Sequence, residues 1–194
     1  MLLSTFQQSN YTLKRQVLAL TGKFRLFDSQ GGLILFSHQK MFKLKEDIRV
    51  FSDESMVHEV LSIRARQMID FAAAYDVIDT NSGQKVGALR RKGFRALVRD
   101  EWEILDPNDQ PYGILQEDSP GKALLRRLFL GSLLPQSYHL MINGQKAAEF
   151  RQKFKLVGYT LDLDFSMDSA QLIDRRLGIA AAILLGTIEG KQSG

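Results

Sequence analysis

The sequence predicts a mainly β fold, a closed antiparallel β-barrel threaded by its own apolar C-terminal helix. Two observations predict it. Alternating runs of apolar and polar residues recur along the chain in pairs, and a turn containing Asp, Asn or Gly joins each pair. Near the C-terminus, residues 177–188 are apolar on every side of a helix, so protein or lipid must surround that segment.

The paired runs are predicted to be β-hairpins. In each copy an alternating run leads into the turn and a second alternating run returns, which gives the ribbon one apolar and one polar face. Asp, Asn and Gly close such turns because they tolerate positive φ and hydrogen-bond the nearby backbone. The five predicted hairpins are residues 24–36, 48–63, 75–89, 102–115 and 138–150.

Successive hairpins predict an antiparallel meander. An open sheet of this length would expose strand edges that pair with other chains, and closure into a barrel removes those edges. No Pro/Gly/Ser-rich linker or low-complexity tract divides the 194 residues. The chain is therefore predicted to be a single domain over residues 1–194.

Two helices are predicted outside the hairpins. Residues 121–134 repeat apolar residues at helical spacing beside two arginines, which favours a lid on one end of the barrel over a helix lying in a lipid interface. The second helix is predicted to begin at Asp168 or Ser169 as N-cap and to end at about Glu189, with Gly190 as its stop. Its apolar run is 12 residues long, shorter than the roughly 20 needed to span a bilayer, which favours a buried core helix.

Composition narrows the class of protein. The chain has no cysteine, so disulfides and thiolate chemistry are excluded, and its first residues lack the pattern of a secretory signal. We therefore expect a cytoplasmic location, including attachment to the periphery of a membrane. The net charge of +4 favours an acidic partner. Nucleic acid is not the expected partner, because the sequence shows no recognition helix or stacking-aromatic motif.

The sequence predicts no catalytic, cofactor-binding or metal-binding residue, and we expect no enzyme. His38, His58 and His139 are far apart and lack metal-ligand spacing. No nucleophile elbow, Walker loop or Rossmann glycine pattern is present.

Two acidic residues, Asp162 and Asp164, share one face of a predicted strand. They could form half of a cation site, although two carboxylates supply few of the oxygens that a hard cation needs. The alternative is a solvated strand face, or ion pairs with Lys153 and Lys155. These two lysines and Arg151 form a basic strand of their own.

The strongest functional signal is a run of basic residues next to Gly93, where several cations could converge on a phosphate. The alternative is a solvated polar face that discourages edge pairing. The candidate anion- or lipid-binding residues are Arg90, Arg91, Lys92, Arg95 and Arg99.

The order of these features resembles a known family. Its markers are Tyr-Asp-Val at 75–77, the glycine-bounded basic stretch 87–93, residues 133–138, the Leu-Asp-Leu-Asp run 161–164, and an apolar helix that begins at residues 174–177. The chain resembles the LURP-one-related proteins and the phospholipid scramblases, which share the tubby C-terminal-like fold. The resemblance implies a barrel of about twelve strands around a central C-terminal helix.

The resemblance also implies a function. Tubby proteins bind phosphoinositides through basic residues on the barrel, which implies a non-enzymatic binding module for anionic membrane lipid or for a protein partner. The alternative is a scramblase-like, membrane-active protein that moves phospholipids. Scramblases, however, carry an acidic calcium-binding loop, a Pro-rich N-terminal region and clustered cysteines, and this sequence has none of these. The ligand's identity and the oligomeric state are left open.

Overall fold

The computed structural model describes residues 4–16, 22–39, 47–66, 73–92, 101–118, 136–153 and 158–192. A 3-10 turn, Ser4–Gln7, precedes the first strand. The strands are β1 (Asn10–Arg15), β2 (Lys23–Phe27), β3 (Leu33–Gln39), β4 (Asp47–Phe51), β5 (Glu59–Ala65), β6 (Ala74–Asp79), β7 (Lys85–Arg91), β8 (Glu101–Leu105), β9 (Pro111–Glu117), β10 (Ser137–Ile142), β11 (Gln145–Gln152) and β12 (Thr160–Asp164), and the helix is α1 (Arg175–Gln192).

The strands form a closed barrel in which each pairs with its neighbours in sequence and β1 pairs with β12. Every pairing is antiparallel, and the closing pair sets Leu13 opposite Leu161. The predicted fold class is confirmed. The five predicted hairpins are also confirmed as the pairs β2–β3, β4–β5, β6–β7, β8–β9 and β10–β11.

Short polar side chains close the turns, as their sequences indicate. The Asp28 carboxylate accepts hydrogen bonds from the backbone N–H groups of Gln30 and Gly32, at 2.9 and 2.7 Å. Asn143 and Gly144 both have positive φ, 48° and 81°, the pairing that a two-residue turn between twisted strands requires.

The two ends of the barrel differ. We call the end that carries the five hairpin turns and the loop from β12 into α1 the turn end. We call the opposite end the rim. The rim consists of the described residues within three positions of the remaining connections, namely 14–16, 22–24, 37–39, 47–49, 64–66, 73–75, 90–92, 101–103, 116–118, 136–138, 151–153 and 158–160.

Helix α1 lies inside the barrel. Its side chains from Leu177 to Leu185 are buried on every side, which confirms the predicted burial of the apolar run as far as residue 187. Small residues let the helix fit the lumen. A Cβ atom on Gly178 would lie 2.6 Å from the Phe165 ring, and one on Gly186 would lie 2.6 Å from the Phe24 ring.

The predicted ends of this helix were wrong. It begins at Arg175, with Asp174 as N-cap, since the Asp174 carboxylate accepts the Arg176 N–H at 2.9 Å. Asp168 instead orders the loop before the helix. The helix also continues past Gly190 to Gln192. A helical glycine costs only about 1 kcal/mol relative to alanine, which is not enough to end a helix by itself.

Asp168 is the centre of that loop. Its fully buried carboxylate accepts the Leu172 N–H at 2.7 Å and the Ile173 N–H at 3.3 Å, and it pairs with Arg175 at 2.5 Å. The Arg175 guanidinium also lies 4.6 Å from the centre of the Phe165 ring. This buried pair therefore fixes the start of α1 against the turn end of the barrel.

The predicted helix at residues 121–134 lies outside the described residues. Within the described part of the chain, none of the helices combines the length and the apolar character needed to cross a bilayer.

Replacing Ile183 by Asp should abolish folding, because Ile183 is 1% exposed and an unpaired charge would enter a dry core. The variant should be recovered insoluble or without a cooperative thermal transition. Ile183→Val is the control and should lose only about 0.5–1.5 kcal/mol. A soluble Ile183→Asp variant with a cooperative transition would contradict a helix enclosed by the barrel.

Replacing Asp168 by Ala should lower the free energy of unfolding by about 3–5 kcal/mol, because it leaves the buried Arg175 charge without its carboxylate. Urea unfolding measures the loss. The double variant Asp168→Ala/Arg175→Met should regain part of it, since no charge is then stranded. Additive losses from the two single changes would show that the pair is not coupled.

Candidate anion-binding surface

The predicted basic residues Arg90, Arg91 and Lys92 lie at the rim, where β7 ends. On the outer surface, Arg90 pairs with Glu103, with its Nε 2.7 Å from a carboxylate oxygen. Lys92 Nζ lies 2.7 Å from Glu101 and 3.5 Å from Glu103. The hydrogen bond to Glu101 raises the pKa of Lys92 above its ordinary value. Two carboxylates therefore balance two of the predicted cations.

Arg91 does not share that outer face. It lies opposite the buried Trp102 in the β7–β8 ladder, and neighbouring residues of a strand alternate between faces. The structure thus brings Arg90 and Lys92 together, and it directs Arg91 towards the opposite side of the sheet. The other two predicted residues, Arg95 and Arg99, lie outside the described residues.

The second predicted basic strand is also paired. Lys153 Nζ lies 2.7 Å from Asp162, whose other oxygen accepts the Thr12 hydroxyl at 3.0 Å. Asp164 accepts the Ser166 N–H at 2.8 Å. Asp162 is therefore engaged in the lysine pair expected as the alternative to a cation site. Lys155 lies outside the described residues.

His139 joins two carboxylates on the outer face of β9–β11. Its Nδ1 lies 2.7 Å from Asp118 and its Nε2 lies 3.9 Å from Glu149. Sequence reasoning missed this group. The bulge between Leu140 and Met141 shifts the β10–β11 register, so that His139 faces Glu149. An unbulged two-residue hairpin would have set it opposite residue 148.

This group is a poor cation site despite its ligand types. The three side chains offer ligand atoms within 4.8 Å of one another. However, Glu149 also binds Lys146 at 2.8 Å and Arg151 at 2.6 Å. Their two positive charges balance the two carboxylates, so the group presents no net negative charge to a dication. The arrangement is that of a surface ion-pair network.

The other histidines do not join it. His38 lies on β3 and His58 lies in the turn between β4 and β5, on other parts of the barrel.

A second basic cluster, which sequence reasoning missed, lies where β1 and β2 meet at the rim. It consists of Lys14 and Lys23 on the outer face and Arg15 on the opposite face, since the β1–β2 ladder sets Arg15 opposite the buried Phe24. The Gln16 N–H donates to the Lys23 carbonyl at 2.9 Å. The sequence does contain a signal for this group, because two cations precede the connection 17–21 and one follows it. Pairing of antiparallel strands brings such positions to the same end of the sheet.

This second cluster is not neutralised. Among the described residues, no carboxylate forms an ion pair with Lys14, Arg15 or Lys23. Lys14 Nζ lies instead 4.4 Å from the centre of the Phe27 ring, a contact that stabilises an ammonium without cancelling its charge.

Charge is separated along the barrel axis. The rim, as defined above, contains eleven Lys and Arg residues against five Asp and Glu. The turn-end connections, residues 28–32, 52–58, 80–84, 106–110, 143–144 and 165–174, contain seven Asp and Glu and no Lys or Arg. Turn closure and helix capping account for several of these carboxylates. At least six of the eleven rim cations form ion pairs with carboxylates, namely Arg49, Arg66, Arg90, Lys92, Arg151 and Lys153.

Comparison with known proteins identifies the family of this chain. A family model described as LURP-one-related matches residues 33–186. The chain belongs to the LURP-one-related family. A similar solved structure is the X-ray structure of a protein from Arabidopsis thaliana, with a TM-score of 0.53, 11% identity, and coverage of 92% of this chain and 91% of that one. At that identity the similarity concerns the fold alone. No curated protein sequence matches the chain.

The family model confirms the resemblance inferred from the sequence. LURP-one-related membership and a barrel of this kind are consistent with a non-enzymatic binding module. The geometry fits that class, since α1 occupies the lumen, where a barrel of this type would otherwise hold a small ligand.

Glu149 should make stability depend on acid pH. Hydrogen bonds from Arg151 and Lys146 lower the pKa of Glu149 from 4.5 to about 2. A carboxyl whose pKa falls on folding stabilises the native state above the unfolded value, and this contribution is lost as pH falls through the folded value. The stability difference between the wild type and Glu149→Gln, measured by urea unfolding, should therefore shrink between pH 4.5 and 2.

An NMR titration supplies the control. The Glu149 side chain should titrate near 2 in the wild type and higher in Arg151→Ala. An ordinary midpoint in the wild type would show that the ion pairs do not persist in solution.

Proposed function

We propose that the chain is a non-enzymatic binding module that attaches to anionic phospholipid at a membrane surface, with its rim towards the lipid. The observation that carries the proposal is the separation of charge along the barrel axis. A body with a cationic rim and an acidic turn end is attracted to, and oriented by, a negatively charged surface.

The occupied lumen supports attachment through the outside. The apolar side chains of α1 fill the space inside the strands, and Gly178 and Gly186 already lie in close contact with aromatic rings. A ligand would therefore have to bind on the outer face or at an end. Of these surfaces, the rim carries the excess of positive charge.

The electrostatic attraction expected from the rim cations is large enough to hold the protein at an anionic membrane. Each Lys or Arg near an anionic leaflet contributes about 1 kcal/mol, and the attraction decays within a Debye length of roughly 10 Å. A six-residue strand rises roughly 20 Å along its own direction, which sets its turn-end residue back from the rim, although Asp109 of the turn end pairs with Arg66 of the rim at 2.5 Å. Rim cations without such a partner can therefore act with little opposition from the acidic end.

Arg90, Arg91 and Lys92 are proposed contributors, together with Arg95 and Arg99 from the sequence that follows β7. To contact a phosphate directly, Arg90 and Lys92 must exchange Glu103 and Glu101 for the lipid. Their main contribution would then come from the positive field of the rim.

A protein partner is the second candidate. The exposed large apolar side chains in the described part of the chain lie at the turn end, in or next to the hairpin turns or in the loop into α1. They are Leu33, Met56, Val57 and Met167. Val57 is the most open of them, with 71% of its surface exposed. A partner bound there would leave the rim free for the membrane.

The scramblase-like alternative has less support. It requires α1 to leave the lumen for the bilayer. The buried pair Asp168–Arg175 and the pair between Arg176 and Asp79, at 2.6 Å, both hold the start of the helix. Its departure would also expose the apolar residues that line the lumen.

Flotation with liposomes tests the proposal. The chain should float with vesicles that contain phosphatidylserine or a phosphoinositide and should stay behind with phosphatidylcholine alone. Binding should weaken steeply with added salt. The variant Arg90→Ala/Arg91→Ala/Lys92→Ala should bind about 100-fold more weakly, from about 1 kcal/mol per cation.

A charge-matched variant is the control. Lys85→Ala/Lys146→Ala/Asn81→Asp also lowers the net charge by three, but its changes lie near the turn end. It should bind within a few-fold of the wild type. Equal losses in the two variants would show that net charge, and not the rim, governs binding. Failure of the wild type to float with either anionic vesicle would overturn the proposed function.

A further inference from the structure

We propose that the turn between β4 and β5 is a docking site for a protein partner that presents an apolar pocket flanked by Lys and Arg. The docking residues are Met56 and Val57 of this turn, together with Leu33 at the start of β3. We call these three residues the apolar patch. The inference names the residues and the partner chemistry for the second candidate above, and it does not depend on attachment of the rim to lipid.

The apolar patch contains the most exposed large apolar side chains in the described part of the chain. Val57 has 71% of its surface exposed and Met56 has 44%, against 38% for both Leu33 and Met167. Every residue from 53 to 58 is exposed, so Met56 and Val57 stand on a projecting turn. Exposed apolar side chains of this kind gain free energy when a partner buries them, most of all in a pocket.

Hydrogen bonds fix the backbone of this turn. The Ser52 N–H donates to the His58 carbonyl at 3.0 Å, and the Met56 N–H donates to the Asp53 carbonyl at 3.3 Å. The Asp53 carboxylate accepts the Ser55 N–H at 2.8 Å. Met56 has a φ of 58°, a left-handed conformation that is uncommon for residues other than glycine. A turn that is ordered before contact loses little conformational freedom on binding, which favours affinity.

An ion pair draws the turn across β3. Glu54 pairs with Arg25 of β2, although β3 lies between β2 and β4 in the sheet. Arg25 lies opposite Phe36 of β3, and its guanidinium carbon is 5.9 Å from the centre of that ring. Leu33 lies on the same strand, three residues before Phe36. The turn therefore reaches over the strand that carries Leu33, which places the apolar patch on one side of the turn end.

The charge beside the apolar patch is negative. The turns 28–32 and 52–58 contain Asp28, Asp53 and Glu54 and no Lys or Arg. Arg25 occupies Glu54, whereas no Lys or Arg in the described part of the chain forms an ion pair with Asp28 or Asp53. Hydrogen bonds, first from the Ser55 hydroxyl, lower the pKa of Asp53 below its ordinary value, so its carboxylate stays charged at neutral pH. Lys and Arg around a partner's pocket would complement these charges.

The same charges disfavour two other occupants. An anionic leaflet would be repelled by Asp28 and Asp53, which argues against insertion of the apolar patch into lipid. A second copy of the chain could offer the cations of its rim. At least six of those eleven cations, however, are already paired with carboxylates of their own chain. A different protein is therefore the occupant that we propose.

Peptide selection supplies a defined probe. A library of random peptides displayed on phage would be selected against the intact chain, and the tightest binder would be synthesised. It should combine apolar residues with a net positive charge. In an NMR titration its shifts should map to residues 28–33 and 52–58. A copy of the peptide in which Glu replaces each Lys and Arg should not bind.

Two variants test the apolar contact. Met56→Gly/Val57→Ser should bind the selected peptide about tenfold or more weakly, because both anchoring side chains are removed. Glycine suits the positive φ of residue 56, so this variant should fold, which thermal unfolding checks. Met167→Ser removes an apolar side chain that is 38% exposed in the loop into α1, and it should bind like the wild type.

A matched pair of variants tests the charge. Asp53 and Asp106 each close their own hairpin turn, Asp106 by accepting the Asn108 and Gln110 N–H groups at 2.8 Å. An Asn oxygen can accept such bonds, so Asp53→Asn and Asp106→Asn each remove one charge and keep the turn. Asp53→Asn should weaken peptide binding about threefold, and Asp106→Asn should leave it unchanged. Equal effects would show that net charge governs binding and would overturn the inference.

The remaining outcomes separate this inference from the proposed function. Selected peptides that bind elsewhere, or that bind Met56→Gly/Val57→Ser as tightly as the wild type, would overturn the inference. Loss of liposome flotation in that variant would also overturn it, because the apolar patch would then contact lipid. Self-association of the wild type that this variant abolishes would make a second copy the occupant and overturn it too. Failure of the wild type to float, with peptide binding retained, would overturn the membrane function alone.

Discussion

The structure depends on one constraint, that an apolar helix must be enclosed on every side. From Leu177 to Leu185 the helix has no polar stripe, so no surface position could accommodate it. A closed barrel supplies apolar contacts in all directions, and the helix in turn fills a lumen that would otherwise be empty. Each needs the other, since small helical residues such as Gly178 and Gly186 match the aromatic rings that approach them. The buried Asp168–Arg175 pair sets where that helix begins.

This constraint also limits what the protein can do. A lumen filled by its own chain leaves the outer face and the two ends for interactions. The ends differ for a physical reason, because tight turns select Asp, Asn and Gly, and the start of a helix favours carboxylates. The turn end becomes acidic through these local requirements. At the rim, by contrast, Lys and Arg outnumber Asp and Glu, and the proposed membrane attachment depends on this excess.

Ion pairing decides whether a basic run in the sequence has positive charge available for an anion. The run at residues 90–92 is the most conspicuous in the chain, yet Arg90 and Lys92 face Glu103 and Glu101 across the β7–β8 ladder. The cluster of Lys14, Arg15 and Lys23 is less conspicuous because it is split by a connection, yet the described residues offer it no carboxylate. The same reasoning applies to His139, where Lys146 and Arg151 satisfy the charge that would attract a metal ion.

The sequence by itself determined the five hairpins, the closed barrel and the buried helix, because alternation, turn chemistry and an apolar run are local properties. Tertiary structure decided what depends on partners distant in sequence. The start of α1 shifted to Arg175 because Asp168 was recruited by a buried arginine, and a bulge at Leu140 set His139 opposite Glu149. Whether a cation has a carboxylate beside it also depends on the neighbouring strand. A basic residue is visible in the sequence, but its charge is available only where the fold places no carboxylate beside it.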